Sequence, residues 1–338
     1  MFLALLVACN RSPPEPRPAQ ASEPPPPTSQ EPPSPPPPPL VVAPYRFPAP
    51  ARLIAIGDLH GDLSAARAAL RLAGALGKGK NDEWIGKDLV VVQTGDQIDR
   101  ADDDRAVIDL FDALRERARV SGGAVHALNG NHETINVELD FRYVMKGSYA
   151  AFNDFALDAP TALLERFEPI RRGRVAAFRP GGAYARRLAA RNTIAIVGDT
   201  VFVHGGVLPE HVRYDLGRIN AEISAWMRGE RAAPPTVQDQ SSPIWTRVYG
   251  SDNPLPENVC KRLRETLDAL HVRRMVIGHT VQEGGINPAC DGAVWRIDVG
   301  MSSFYRSGKV EVLSIRGDRV EVLRAARDSA PRAVAPPP

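Results

Sequence analysis

The sequence predicts an α/β fold whose strands each end in a polar turn, and three observations carry that expectation. Short runs rich in Val and Ile occur at 52–57, 88–94, 124–129, 201–204 and 274–278. Stretches of helical period or irregular pattern separate them. A residue able to bind a metal closes each run or stands within two residues of its end, at the carboxyl edge where open α/β sheets carry their ligands.

Taken in order, the first run holds Leu53, Ile54 and Ile56 and turns at Gly57. Residues 63–76 are Ala/Leu-rich with apolar positions at helical spacing, so a helix should pack on the sheet there. After the second run, 104–120 again sets apolar against charged residues at helical spacing. The segment 135–191, beyond the third run, is long and weakly patterned and is expected to form a small helical cap shaping access to the strand ends. Two further runs follow, and strand-like patterns at 309–315 and 319–323 close the domain. Glycines flank every polar turn, where a backbone must bend sharply to aim a side chain.

A hydrophobic content of 43% suffices for a substantial core, and a net charge of +2 without a basic, aromatic-interleaved patch gives nucleic-acid binding no support. The 32 prolines are very unevenly spread, with 18 of them in residues 10–50, which read as an extended, partly polyproline linker, so the folded domain is expected over 51–325 with a disordered tail at 326–338. Ahead of the linker, the apolar run 2–8 ends in Leu6-Val7-Ala8-Cys9, which resembles the lipobox of bacterial lipoproteins with Cys9 as the lipidated residue. No Lys or Arg precedes the run and it is short for a signal core, so residues 1–9 are expected to be a truncated lipoprotein-type signal. That places the protein in the periplasm or cell envelope, anchored to the membrane; the alternative is a cytoplasmic enzyme with a hydrophobic start. No run approaches the length of a spanning helix. Cys260 and Cys290 are then the remaining pair, which in an exported domain points to a disulfide, although sequence gives no distance between them.

The chemistry lies in five islands: Gly57-Asp58-Leu59-His60-Gly61-Asp62, Gly95-Asp96-Gln97-Ile98-Asp99-Arg100, Gly130-Asn131-His132-Glu133, Val203-His204-Gly205-Gly206 and Gly278-His279-Thr280. Together they offer the oxygen and nitrogen donors needed to hydrolyse a phosphate ester between two metals. Asp58 and His60 would reach one cation, Asp96 would bridge, and Asn131, His204 and His279 would complete a second. Mixed carboxylate, amide and imidazole donors suit two divalent transition metal ions, manganese first with iron or zinc as alternatives. His132, adjacent to a ligand, is placed to donate a proton to the departing oxygen. Asp99 could orient that imidazole from its other nitrogen or serve only as a loop or helix cap. Arg100 supplies a planar donor fork for two phosphate oxygens.

These islands resemble the phosphoprotein phosphatase family of calcineurin-like metallophosphoesterases, with its Gly-Asp-x-His-Gly, Gly-Asp-x-x-Asp-Arg-Gly and Gly-Asn-His-Glu signature. Ala101 stands where the second motif closes in Gly. The resemblance implies a β-sandwich flanked by helices, one metal on Asp58, His60 and Asp96, a second on Asp96, Asn131, His204 and His279, His132 as general acid paired with Asp99, and Arg100 as phosphate clamp. Phe141-Arg142-Tyr143-Val144, Pro180-Gly181, the stretch from Val197 to Gly206 and Asp298-Val299-Gly300-Met301-Ser302 are similar to the bacterial Shewanella-like phosphatases. Arg247, in Ile244-Trp245-Thr246-Arg247, is the candidate for a second phosphate-binding Arg, the alternative being a surface Arg beside a buried Trp. Gln97 stands where many protein Ser/Thr phosphatases carry an aromatic residue.

The expected activity is a metal-dependent phosphomonoesterase acting on phosphorylated protein or peptide, with a hydroxide between the metals as nucleophile and His132 as general acid. The rival enzyme is a dinucleotide polyphosphate or phosphodiester hydrolase. Many phosphodiesterases end in Gly-His-x-His, whereas Val281 follows Thr280 here. A non-enzymatic, lipid-anchored binding module is the remaining class, and it usually loses ligands that this chain retains. Arg171, Arg172 and Arg174 form a basic cluster that reads either as a solvated face or as an attractor of acidic substrates.

Overall fold

All five Val/Ile runs become strands, and they divide between two sheets. The computed structural model describes residues 39–325 except Lys80 and Leu157. The strands are β1 (Arg46–Phe47), β2 (Leu53–Ile56), β3 (Val90–Gln93), β4 (Ala124–Ala127), β5 (Ile194–Val197), β6 (Thr200–Val203), β7 (Arg274–Ile277), β8 (Asn287–Ala289), β9 (Val294–Arg296), β10 (Glu311–Arg316) and β11 (Arg319–Arg324). One sheet runs β1-β5-β6-β7-β9-β8 and the other β11-β10-β2-β3-β4. β2, β3 and β4 are parallel to one another, and so are β6, β7 and β9. Their carboxyl ends therefore deliver the polar turns to one edge of each sheet.

Strand alternation explains how the layers stack. In β5, β6 and β7, the side chains of Ala195, Val197, Phe202 and Val276 join a core with Ala55, Val92 and Leu313 of the other sheet. Their neighbours Ile194, Ile196, Val201, Val203, Met275 and Ile277 face a second core, with Leu188, Ile219, Trp226 and Leu263 from helices Ala183–Ala189, Leu216–Met227 and Glu257–Leu270. A period of two thus gives one sheet two apolar faces. Helix Leu63–Leu72 buries Ala65, Ala66, Ala69 and Leu70 and is capped by Asp62, whose carboxylate accepts the Ala65 N–H at 2.9 Å. It stops short of the expected residue 76 because Gly74 turns left-handed, at φ 72°. The helix Asp104–Val120 falls where its pattern placed it.

The domain starts earlier than residue 51. Arg46 and Phe47 pair in parallel with Ile196 and Val197, and the Phe47 ring stacks 4.1 Å from that of His126. A two-residue edge strand has no period to read, so no local pattern carries the domain back beyond residue 51. β8 and β9 escaped notice for the same reason, at three residues each with Pro288 in one. The segment 135–191 folds into short helices around a small core of Phe141, Tyr149, Leu164, Val175 and Ala176. Cys260 and Cys290 form a disulfide with Cα atoms 5.4 Å apart. Cys9, the leader 1–9, the linker up to residue 38 and the tail 326–338 lie outside the described residues. Among the described residues no helix is long and apolar enough to cross a membrane.

Candidate metal centre and active site

The turns after β2, β3, β4, β6 and β7 meet in one buried cluster. Asp58, His60, Asp96, Asn131, His204 and His279 are all buried there. The backbone bends hard to achieve this: His60, Asp96 and His279 have φ of 45°, 54° and 67°, and Asp99 and Arg100 both stand at 70°. Left-handed conformations cost non-glycine residues about 1 to 3 kcal/mol each and concentrate at functional sites. Two glycines are required by close approach. A Cβ on Gly130 would stand 2.3 Å from Asp96 Oδ1, and one on Gly278 would stand 2.3 Å from Asp58 Oδ1. Glu133 ties the loops together, its carboxylate accepting the N–H groups of Asp96, Gln97 and Gly130 at 2.9, 2.8 and 2.7 Å.

Three imidazoles are fixed from behind by main-chain carbonyls. His60 Nδ1 lies 3.3 Å from Ile98 O, His204 Nδ1 3.1 Å from Thr94 O, and His279 Nε2 3.0 Å from Trp245 O. A carbonyl only accepts, so each of these nitrogens carries the proton and the opposite nitrogen presents a lone pair. His204 Nε2 then faces Asp96 Oδ2 at 3.1 Å and Asn131 Oδ1 at 2.9 Å. In that tautomer lone pairs converge there, an arrangement that a cation resolves, whether a proton or a metal ion. His60 Nε2 stands 3.9 Å from both Asp58 Oδ2 and Asp96 Oδ2 and receives the Tyr305 hydroxyl at 3.2 Å. Donor atoms of Asp96, His204 and His279 lie within 4.8 Å of one another, and so do those of His60, Asp96 and His132. Asp96 belongs to both groups, the position of a bridging ligand. The donor set fits divalent metal ions.

Burial and neighbouring charge set the protonation states. Burial, then the charge of His132, holds His60 well below the usual imidazole range, and burial with His204 pushes His279 down to about 2, so both are neutral and able to ligate. Burial raises Asp96, but His204 and His132 outweigh it and hold the carboxyl well below its ordinary value. Asp58 is raised well above it by burial, Asp298 and Asp96. Asp298, pushed up to about 6 mainly by burial, leaves Oδ2 without a hydrogen-bond partner among the described residues. It joins Glu133 and Tyr305 among the site residues that sequence reasoning missed. All three stood inside or beside motifs already recognised.

His132 Nδ1 bonds Asp99 Oδ2 at 2.7 Å, and its Nε2 lies 3.4 Å from Arg100 Nη2. Burial lowers this imidazole, but Asp96 and the bond to Asp99 raise it more, so it sits above the ordinary histidine value. The Arg100 guanidinium carbon is enclosed by the rings of Tyr143, Phe304 and Tyr305 at 5.3, 5.4 and 5.4 Å. Arg247 is exposed at the rim and donates to His279 O at 2.7 Å and Thr280 Oγ1 at 3.1 Å. Beside it, Tyr143, Trp245, Glu138, Asp140 and Gln238 line a cavity of about 250 Å³. The basic cluster does not act as one surface. Arg171 and Arg172 are partly exposed, whereas Arg174 is fully buried and paired with Asp99 and Asp104. Arg174 is neither part of a solvated face nor a substrate attractor, because its helix turns that side chain into the domain.

The two-sheet α/β sandwich carries two donor groups that share one carboxylate, and the chain belongs to the calcineurin-like phosphoesterase family, whose sequence profile matches residues 51–283. Within that family its relatives include the Shewanella-like protein phosphatases. It is 40% identical over 305 residues to Shewanella-like protein phosphatase 2 of Arabidopsis thaliana, covering 81% of this chain and 77% of that one. Shewanella-like protein phosphatase 1 of Plasmodium berghei is 28% identical over 267 residues, covering 76% and 69%. The fold is also that of a cold-active protein-tyrosine phosphatase of a psychrophilic Shewanella species, with a TM-score of 0.66 at 24% identity over 83% of each chain.

Proposed function

We propose that this chain is a metal-dependent phosphomonoesterase acting on phosphorylated protein or peptide. The observation that carries the reading is the pair of donor groups sharing Asp96, one with His60 and His132 and the other with His204 and His279, together with the bond from His132 to Asp99. Asp58, His60 and Asp96 would hold one ion, and Asp96, Asn131, His204 and His279 the other. Two divalent transition metal ions, manganese first with iron or zinc as alternatives, would supply charge neutralisation and an activated water when bound. Arg100, held by its aromatic enclosure, binds phosphoryl oxygens through its planar fork, and Arg247 adds a second donor at the rim. His132 gives its Nε2 proton to the leaving alcohol while Asp99 holds Nδ1–H. The raised affinity of this imidazole for a proton favours the acid form the step needs.

The organisation carried with this reading is a lipid anchor at Cys9, a tether through the Pro-rich linker and a catalytic domain in the cell envelope. The test is to strip the full-length protein of metal, reload it with manganese and assay phosphotyrosine peptides, phosphoserine/threonine peptides and a dinucleotide tetraphosphate in parallel, with Asn131→Ala as control. Peptide turnover lost in the control is the expected result. Turnover of the dinucleotide alone would move the enzyme to nucleotide hydrolysis and refute the proposal.

A further inference from the structure

Arg174 and Arg296 are the largest side chains closed off from solvent among the described residues, and no step above uses Arg174. A buried guanidinium is tolerated only when its donors are paired. Here Nε donates to Asn136 Oδ1 at 2.9 Å, Nη1 to Ser148 Oγ at 2.9 Å and Asp104 Oδ2 at 2.7 Å, and Nη2 to Asp99 Oδ1 at 3.2 Å. These partners converge on Asp99. Asn136 Nδ2 donates to both of its carboxylate oxygens at 3.0 Å, and Asp104 Oδ1 accepts its backbone N–H at 2.8 Å. The rings of Phe152 and Phe178 close over the guanidinium, 5.1 and 4.8 Å from its central carbon.

We infer that Arg174 is a positioning residue for proton donation: it clamps Asp99 Oδ1 so that Oδ2 faces His132 Nδ1 and the imidazole directs Nε2 at the leaving oxygen. The inference rests on reading His132 as the proton donor. In that step a water oxygen bonds to phosphorus as the P–O bond to the leaving group breaks, the electrons of the broken bond stay on the leaving oxygen, and the Nε2 proton moves to that oxygen. The imidazole is left neutral, with Nδ1–H still on Asp99. Without the clamp the carboxylate can rotate and the ring can tilt. Misplacing a reacting group by about 1 Å costs on the order of 10²-fold in rate. An ion pair that only fastened the cap to the domain would slow all substrates alike. A clamp on the proton donor acts selectively, because p-nitrophenolate leaves without a proton and phenolate leaves poorly without one.

The experiment measures kcat for the manganese-loaded full chain on p-nitrophenyl phosphate and phenyl phosphate, in Arg174→Gln, Arg174→Lys and His132→Asn, with manganese content and melting temperature recorded. Arg174→Gln should lose roughly 10²-fold on phenyl phosphate and only a small fraction of that on p-nitrophenyl phosphate. Arg174→Lys, which keeps a charge in the core, gives the same comparison at smaller amplitude should the glutamine variant not fold. In an Asp99→Asn background the Arg174 substitution should add no further selective loss, because both changes act through one carboxylate. Equal losses on both substrates for the Arg174 variants, alongside a selective loss for His132→Asn, overturn this inference alone. Equal losses for His132→Asn itself overturn the proton-donor reading and the inference with it.

Discussion

Loading the site with metal should stabilise the fold, and the carboxylates set the scale. Asp58, Asp96, Asp298 and Glu133 are all buried around the three imidazoles. Burial and mutual repulsion raise Asp58 well above its ordinary value, and burial above all pushes Asp298 up to about 6. A raised carboxyl means that the folded state binds more protons than the unfolded chain between the two pKa values. The metal-free protein therefore loses stability as pH rises through that window, by roughly 3 kcal/mol for Asp298 alone at 1.36 kcal/mol per unit. A bound cation offsets that repulsion. At a hundredfold excess over Kd each ion adds about 2.7 kcal/mol, so two add roughly 5. At about 2 °C per kcal/mol for a domain of this size, the melting temperature should rise by about 10 °C. The assay is calorimetry of chelator-stripped protein with and without manganese at pH 7.5 and pH 5, beside His204→Ala. The gain should be larger at pH 7.5 and about halved in the variant, which retains one donor group. No gain with manganese, iron or zinc, or an undiminished gain in His204→Ala, would refute the two-ion reading.

His132→Asn should lower kcat by roughly 10² to 10⁴-fold while leaving manganese content unchanged, measured by steady-state kinetics and elemental analysis. Replacing Cys260 and Cys290 together by Ser opens a loop with a sequence separation of 30. That should cost roughly 3 to 4 kcal/mol in urea titrations with kcat preserved. His126, pushed down to about 4 by burial, binds fewer protons folded than unfolded. It contributes stability above about pH 6.5 that is lost as pH falls through 4, up to roughly 3 kcal/mol, and His126→Phe should flatten that part of the pH–stability curve.

The site was legible because its ligands follow strand ends, and both strands and glycine turns are local signals. Asp58, His60, Asp96, Asn131, His204 and His279 could each be read from a few neighbouring residues, and helix 104–120 from its own period. β1 could not, because Arg46 and Phe47 become a strand only through pairing with Ile196 and Val197. Arg174 looked like surface beside Arg171 and Arg172, since linear charge density does not reveal which way a helix faces. The sequence by itself determined the α/β class and the inventory of donors, because apolar period and residue chemistry are properties of short segments, whereas the two-sheet sandwich was implied only by the resemblance of the five islands to a known family. Only the tertiary structure decided which nitrogen of each histidine is free to ligate, that Cys260 meets Cys290, and that the cap buries Arg174 against Asp99. Each depends on a partner distant in sequence: the Trp245 carbonyl behind His279, Cys290 thirty residues on, and Asp99 seventy-five residues before Arg174. Such contacts are set by packing, and no local pattern encodes them.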